Sequence, residues 1–131
     1  MKDLLCDGFQ ETVSDLLVRH RSILDVASKL QESDARINRA VAKAVTTCGC
    51  IAVEARKQRV PTDANFRDLR TFMETHLNGK LCEHCREILE TEIGNHLFYL
   101  AAMCNLLDLN LYDVLIKEQD RLSTLGAYHF S

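Results

Sequence analysis

Two short cysteine pairs, Cys48-Gly49-Cys50 and Cys82-Glu83-His84-Cys85, constrain this chain more than any other feature. Each pair can place two sulfurs on one ion. A CxxC pair reaches across a tight turn. A CxC pair does so more tightly, with Gly49 leaving the backbone free to bend. Because residues 51–81 lie between the pairs, a shared ion ties two distant points together and makes the centre of the chain a fixed clip. Thiolates are soft, anionic and compact, which selects zinc, and four sulfurs fill a tetrahedral sphere, which makes such a site structural rather than catalytic. Cys48, Cys50, Cys82 and Cys85 are therefore the expected ligands of a structural zinc. Three other readings stand beside it. The cysteines can be buried free thiols, Cys82 and Cys85 can form a redox pair just ahead of a helix dipole, or His84 can replace one sulfur. Cys104 falls on an apolar stripe and reads as core, while Cys6 is unpaired in sequence.

The pattern around the clip is helical. One Pro and five Gly in 131 residues leave long stretches unbroken, and the length suits a single domain over 1–131. Val13, Leu16, Leu17, Ile23, Leu24, Ala27, Leu30, Ile37, Val41 and Val45 recur at three- and four-residue steps, giving one long helix or two with a break near His20 or Ser33. Gly49 terminates this run. Ile51, Val53 and Ala55 alternate with polar or small residues, as a short extended piece does. Pro61 turns the chain, and Thr62, Asp63 or Asn65 caps a helix over about 66–77, closed by Asn78-Gly79. Over 86–107, Leu89, Ile93, Leu97, Leu100, Cys104 and Leu107 form one apolar face, and Asn110 caps a last helix with Asp113 three residues on. Residues 123–131 read as a tail. The expected fold is all-α, a bundle of about four to five helices with an insert over about 48–85.

Composition narrows the function classes. At 47% hydrophobic and 27% charged the chain is globular rather than disordered, and a net charge of −3 offers no general field for nucleic acid. The opening Met1-Lys2-Asp3-Leu4-Leu5-Cys6-Asp7 is too short and too acidic for a signal peptide, and no stretch approaches a membrane span. The expectation is a cytoplasmic protein with reduced thiols. The basic residues Arg56, Lys57, Arg59, Arg67 and Arg70 of the insert either form a solvated face or meet an anionic partner.

The segment Glu92-Ile93-Gly94-Asn95-His96-Leu97-Phe98-Tyr99-Leu100-Ala101-Ala102, then Asn105, then Leu109-Asn110-Leu111-Tyr112-Asp113-Val114-Leu115-Ile116-Lys117, resembles the MazG-like all-α nucleotide pyrophosphohydrolases. A second, shorter match lies at Leu30-Gln31-Glu32-Ser33-Asp34-Ala35-Arg36-Ile37-Asn38-Arg39-Ala40. The resemblance implies a helical bundle, assembly into dimers or larger forms, and acids from two helices that hold magnesium against a nucleoside triphosphate while water splits the α–β phosphate link. Glu32 and Glu92 are the acids this chain keeps, and so its implied catalytic residues. Ser33, Arg36 and Asn95 stand where the family places acids. An Arg among magnesium ligands repels the ion. The Glu92/His96 pair, one turn apart, either binds a transition metal or makes ordinary polar contacts. Neither cysteine pair belongs to the family's usual pattern. Three readings follow: a weakly active or inactive homodimeric relative that binds a nucleotide or protein partner, an active pyrophosphohydrolase working through Glu32 and Glu92, or a zinc-containing nucleic-acid module.

Overall fold

The computed structural model describes residues 4–130, with side chains through residue 126, so Met1-Lys2-Asp3 and Ser131 lie outside the described residues. Five α-helices and one small two-stranded ribbon follow one another along it. The first helix, α1, covers Leu4–Leu16, and the second, α2, covers Ile23–Lys43. The break covers residues 17–22 and so contains His20: Ser22 caps α2, its hydroxyl accepting the Leu24 amide hydrogen at 3.3 Å. Ser33, the other candidate break, sits mid-helix and is 1% exposed. Its hydroxyl bonds back to the Leu30 carbonyl at 2.7 Å, so its polar group is satisfied without ending the helix.

Helix α2 widens into a π-helical turn at Ala44–Cys48, which Gly49 ends in the left-handed region at φ +80°. Strand β1, Ile51–Val53, then pairs antiparallel with β2, Leu77–Gly79, in the register Ile51↔Gly79, Ala52↔Asn78 and Val53↔Leu77. The ribbon is the short extended piece expected at Ile51–Ala55, now with a partner strand, in a chain that is otherwise helical as expected. Between the strands, α3 (Phe66–Phe72) starts at the Asn65 cap. It stops five residues before the expected Leu77, because Met73 is extended and residues 77–79 are drawn into pairing with β1. Helix α4 covers Glu83–Leu106, beginning three residues earlier than its apolar pattern predicts because Cys82 caps it.

Helices α2 and α4 form an antiparallel hairpin. Val26 meets Ala101 and Ala102 at one end, Ser33 meets His96 in the middle, and Ala44 meets Cys85 at the other. Two small cores result. Val13, Leu17, Val26, Ala101 and Ala102 close the open end, where the two alanines, both 0% exposed, let helices approach closely. Ala44, Ile51 and Cys85 close the tip, with Cys50 and Cys82 packed against them. The expected apolar face of α4 behaves differently. Only Leu89 on it is buried, whereas Ile93, Leu97 and Leu107 are 45%, 46% and 54% exposed. Partners within the chain contact α4 through other faces, and Cys104 is half-buried rather than core.

Helix α4 ends in two reverse bonds, Leu109 amide to Cys104 carbonyl at 2.8 Å and Asp108 amide to Asn105 carbonyl at 3.4 Å, with Asp108 left-handed at φ 57°. The chain then turns by 105° into α5, Leu111–Phe130. Asn110 caps α5 as expected, accepting the Asp113 amide hydrogen at 2.9 Å. The expected tail from residue 123 is helical through Phe130: Ser123 bonds back to the Gln119 carbonyl at 2.8 Å, and a lone Gly126 does not break the helix. Among the described residues no single helix is long and apolar enough to cross a membrane.

A side-chain knot fixes α1 to the α4–α5 corner. Gln10, 8% exposed, donates through Nε2 to Asn105 Oδ1 at 2.9 Å and to the Leu109 carbonyl at 3.0 Å. Its Oε1 accepts the Leu111 amide hydrogen at 2.7 Å, and Asn105 Nδ2 donates to the Gln10 carbonyl at 2.8 Å.

Candidate metal centre

The four cysteines of the two short pairs flank the ribbon in sequence and meet at one end of it, where Ile51 lies opposite Gly79. The π-helical turn and Gly49 deliver Cys48 and Cys50, and the start of α4 delivers Cys82 and Cys85. Their sulfurs all lie within 4.8 Å of one another, with Cys48 Sγ and Cys82 Sγ 3.7 Å apart. Disulfide sulfurs stand about 2 Å apart, and none of the six cysteines is in a disulfide. A tetrahedral ion with Zn–S bonds of about 2.3 Å has S···S edges of about 3.8 Å, so the cluster has the dimensions of a metal cage. Among the described residues no other group of three or more metal-binding side chains gathers in this way. His84 is outside the group; it is exposed, on the wall of a cavity beside Cys48 and Cys85.

The electrostatics of the cage are uneven. Cys82 is the N-cap of α4, and its sulfur accepts the Cys85 amide hydrogen at 3.4 Å. That backbone bond, helped by the Cys85 thiol, brings the Cys82 thiol down to about 7. Burial pushes Cys85 up to about 12. The redox reading set both cysteines just ahead of the helix; instead Cys85 lies inside the first turn, and Cys82 holds the capping position. A cation among the sulfurs offsets the charge that Cys85 must take on to act as a ligand.

The ribbon sets the reach of the first pair. Gly79 lies opposite Ile51 at φ +89°, and a Cβ there would stand 2.6 Å from the Cys50 carbonyl oxygen. Only glycine lets β2 come this close. Gly79→Ala is expected to lower stability by about 2 kcal/mol or more, from left-handed strain and the clash together, and to weaken metal retention by the four cysteines. Thermal melts and a colorimetric chelator assay check both effects.

The carboxylates are differently placed. Glu32 is on the exposed side of α2, gripped by Lys29 at 3.2 Å and Arg36 at 3.2 Å. Hydrogen bonds from Lys29, then from Arg36, hold its carboxyl below the usual range. Glu92 lines a cavity of about 200 Å³ with Arg36, Arg39, Ala40, Lys43 and Ile88. Its Oε2 is buried without a hydrogen-bond partner. Glu32 is not among the residues lining that cavity. His96 points to the other helix: its Nδ1 is 2.8 Å from Ser33 Oγ. Of the insert's basic residues, Arg56 is committed to Glu74, donating through Nε at 2.7 Å.

Sequence reasoning missed Gln10, because an isolated glutamine on a helix carries no pattern. It also missed β2, three residues long, whose existence depends on β1. Compared with family models, curated proteins and solved structures, the chain matches none. The fold and the site define a mostly helical protein with a four-cysteine cluster that can hold a metal ion.

Proposed function

We propose that this chain is a zinc-stapled helical protein of MazG-like type that binds a nucleotide without hydrolysing it. The observation that carries the reading is the company of the two acids. Magnesium needs several free, hard oxygen ligands around one point. Here Glu32 is spent on Lys29 and Arg36, and Glu92 shares its cavity with Arg36, Arg39 and Lys43. Ser33, at a position where the family carries an acid, is buried against His96. The cavity therefore offers phosphate groups direct positive charge rather than a bridging cation, and guanidinium groups suit phosphate geometry. Zinc at Cys48, Cys50, Cys82 and Cys85 fixes the hairpin tip at one end of this cavity and takes no part in chemistry.

The test is magnesium-dependent release of pyrophosphate from a panel of nucleoside triphosphates, paired with calorimetric binding of the same nucleotides without magnesium. The expected result is no release above background, and binding that weakens at least tenfold in Arg36→Ala/Arg39→Ala. Robust release, abolished in Glu92→Ala, overturns the reading and favours the active pyrophosphohydrolase. A nucleic-acid role finds less support, since Arg56 is paired with Glu74 and the chain is acidic.

A further inference from the structure

The four sulfurs of the cage are unequally open. Cys48 is exposed, Cys50 and Cys82 are half-buried, and Cys85 is 8% exposed. Cys85 belongs to the tip core with Ala44 and Ile51, and the Cys50 sulfur lies 3.9 Å from the Ala44 carbonyl oxygen. A cavity of about 250 Å³ opens beside the cage, with Lys43, Thr47, Cys48 and His84 on its wall. A water takes up about 30 Å³ of liquid, so a hydroperoxide has room to reach Cys48 from this side.

The pairing of the sulfurs crosses the two motifs. The Cys82 sulfur stands 3.7 Å from that of Cys48. A disulfide needs about 2 Å, and small side-chain rotations cover the difference. The alternatives within a motif are less open. A Cys82–Cys85 bridge requires the buried sulfur. A Cys48–Cys50 bridge has to close across Gly49 alone, whose left-handed turn is held by its amide bond to the Ala44 carbonyl at 2.9 Å.

We infer that Cys48 and Cys82 form a redox-active pair across the two motifs, through which a hydroperoxide exchanges the metal link at the hairpin tip for a disulfide link and frees the metal. The Cys48 thiolate attacks a peroxide oxygen, forming an S–O bond as the O–O bond breaks and hydroxide leaves. The Cys82 thiolate then attacks the sulfenic sulfur, forming the S–S bond as the S–O bond breaks and a second hydroxide leaves. Two protons from solvent turn the hydroxides into water, and the two electrons lost by the sulfurs reduce the peroxide. Cys50 and Cys85 remain, two ligands where a structural zinc takes four. Release of metal rests on the zinc reading of the cage; the disulfide rests on the sulfur geometry. The new bond joins the points that the metal joins, the end of the π-helical turn and the cap of α4. The tip therefore stays closed as the metal leaves. A Cys82–Cys85 bridge lies within one motif and would leave the tip open.

The experiment is titration of the full, zinc-loaded chain with hydrogen peroxide, alkylation of the remaining thiols, and a tryptic map without reduction. Trypsin leaves Cys48 and Cys50 in peptide 44–56 and Cys82 and Cys85 in peptide 81–86. A bridge across the motifs joins these two peptides, whereas a bridge within either motif joins none. The expected product is the joined pair, placed on Cys48 and Cys82 by fragmentation, with one zinc released to a pyridylazo dye per disulfide and rebinding after dithiothreitol. The oxidised chain is expected to melt roughly 10 °C above the reduced, chelated chain, since the disulfide closes the same loop. Cys85→Ser, which lacks the partner for a bridge within its motif, is expected to form the same joined pair. The inference is overturned if the map shows a bridge within either motif, if only sulfinic acids or disulfides between chains form, or if Cys85→Ser abolishes the bridge. It is equally overturned if the oxidised chain melts no higher than the chelated one. A chain that holds no zinc as purified refutes the zinc reading alone, because the map on that chain still decides the bridge.

Discussion

Protein purified without added zinc is expected to carry one zinc per chain by elemental analysis, and stripping it is expected to remove a large share of the chain's stability. The four sulfurs form part of the tip core, with Cys85 and Ile51 buried and Cys50 and Cys82 packed against them. Take the ion away and burial still holds the Cys85 thiol near 12. The tip then rests on a small core of Ala44, Ile51 and Cys85 with Val45, Cys50, Leu81 and Cys82 packed against it. Zinc held a thousandfold above its Kd adds about 4 kcal/mol. In a domain of this size, that is a fall of roughly 15 °C in Tm on chelation. Cys82→Ser and Cys85→Ser are each expected to reproduce it. Because ligand thiols must lose protons, zinc affinity is expected to fall steadily on acidification, with release on going below about pH 6. Differential scanning calorimetry with and without chelator, and metal content against pH, are the measurements. A chain that melts at the same temperature with and without zinc would sink the proposed staple.

The second large effect is expected far from the metal, at Gln10. Gln10→Met preserves volume and apolar packing but removes both Nε2 bonds and the Oε1 bond. The Leu109 carbonyl, the Leu111 amide and Asn105 Oδ1 lose their partner together, in a corner where Gln10 itself is only 8% exposed. Each buried polar group left unmatched costs about 1–3 kcal/mol, so the expected loss is about 3–6 kcal/mol after partial hydration. That is a large fraction of the ~5–15 kcal/mol that holds a typical domain together. The loss is expected to fall on the docking of α1 and the angle of α5, leaving zinc content unchanged. Urea unfolding with parallel metal analysis separates the two predictions. A loss under about 1 kcal/mol would mean that water replaces Gln10 without penalty.

These two sites differ in how far the sequence discloses them. The cysteine pairs are legible because metal chemistry imposes short, fixed spacings, and Gly49 is legible because a helix end needs a left-handed residue. Asn110 shows for the same reason: a cap is a local device. The Gln10 knot is non-local, joining residues more than ninety positions apart, and nothing near Gln10 announces it. The stripe on α4 was visible, but periodicity cannot say whether the chain itself covers it, and Ala101 and Ala102 are buried instead of Ile93 and Leu97. Ser33 illustrates the converse ambiguity, since a serine that can start a helix can equally bond back into one. The end of α5 looked like a tail because its stripe thins after Leu122, although the backbone has no reason to stop there.

The excursion between the strands is closed at its own neck. Beyond the ribbon, Glu54 N–H bonds to the His76 carbonyl at 2.8 Å, Gln58 and Glu74 exchange two bonds of 2.8 Å, and Arg56 clasps Glu74. A lobe tied off at its base transmits little of its own shape to what lies below. Lengthening a closed loop adds only fractions of a kcal/mol per residue, so residues 59–73 form a replaceable cartridge. Another sequence grafted between Gln58 and Glu74 would leave the sulfur cage and the hairpin undisturbed, which makes this position a natural place for the protein to acquire or exchange a specificity.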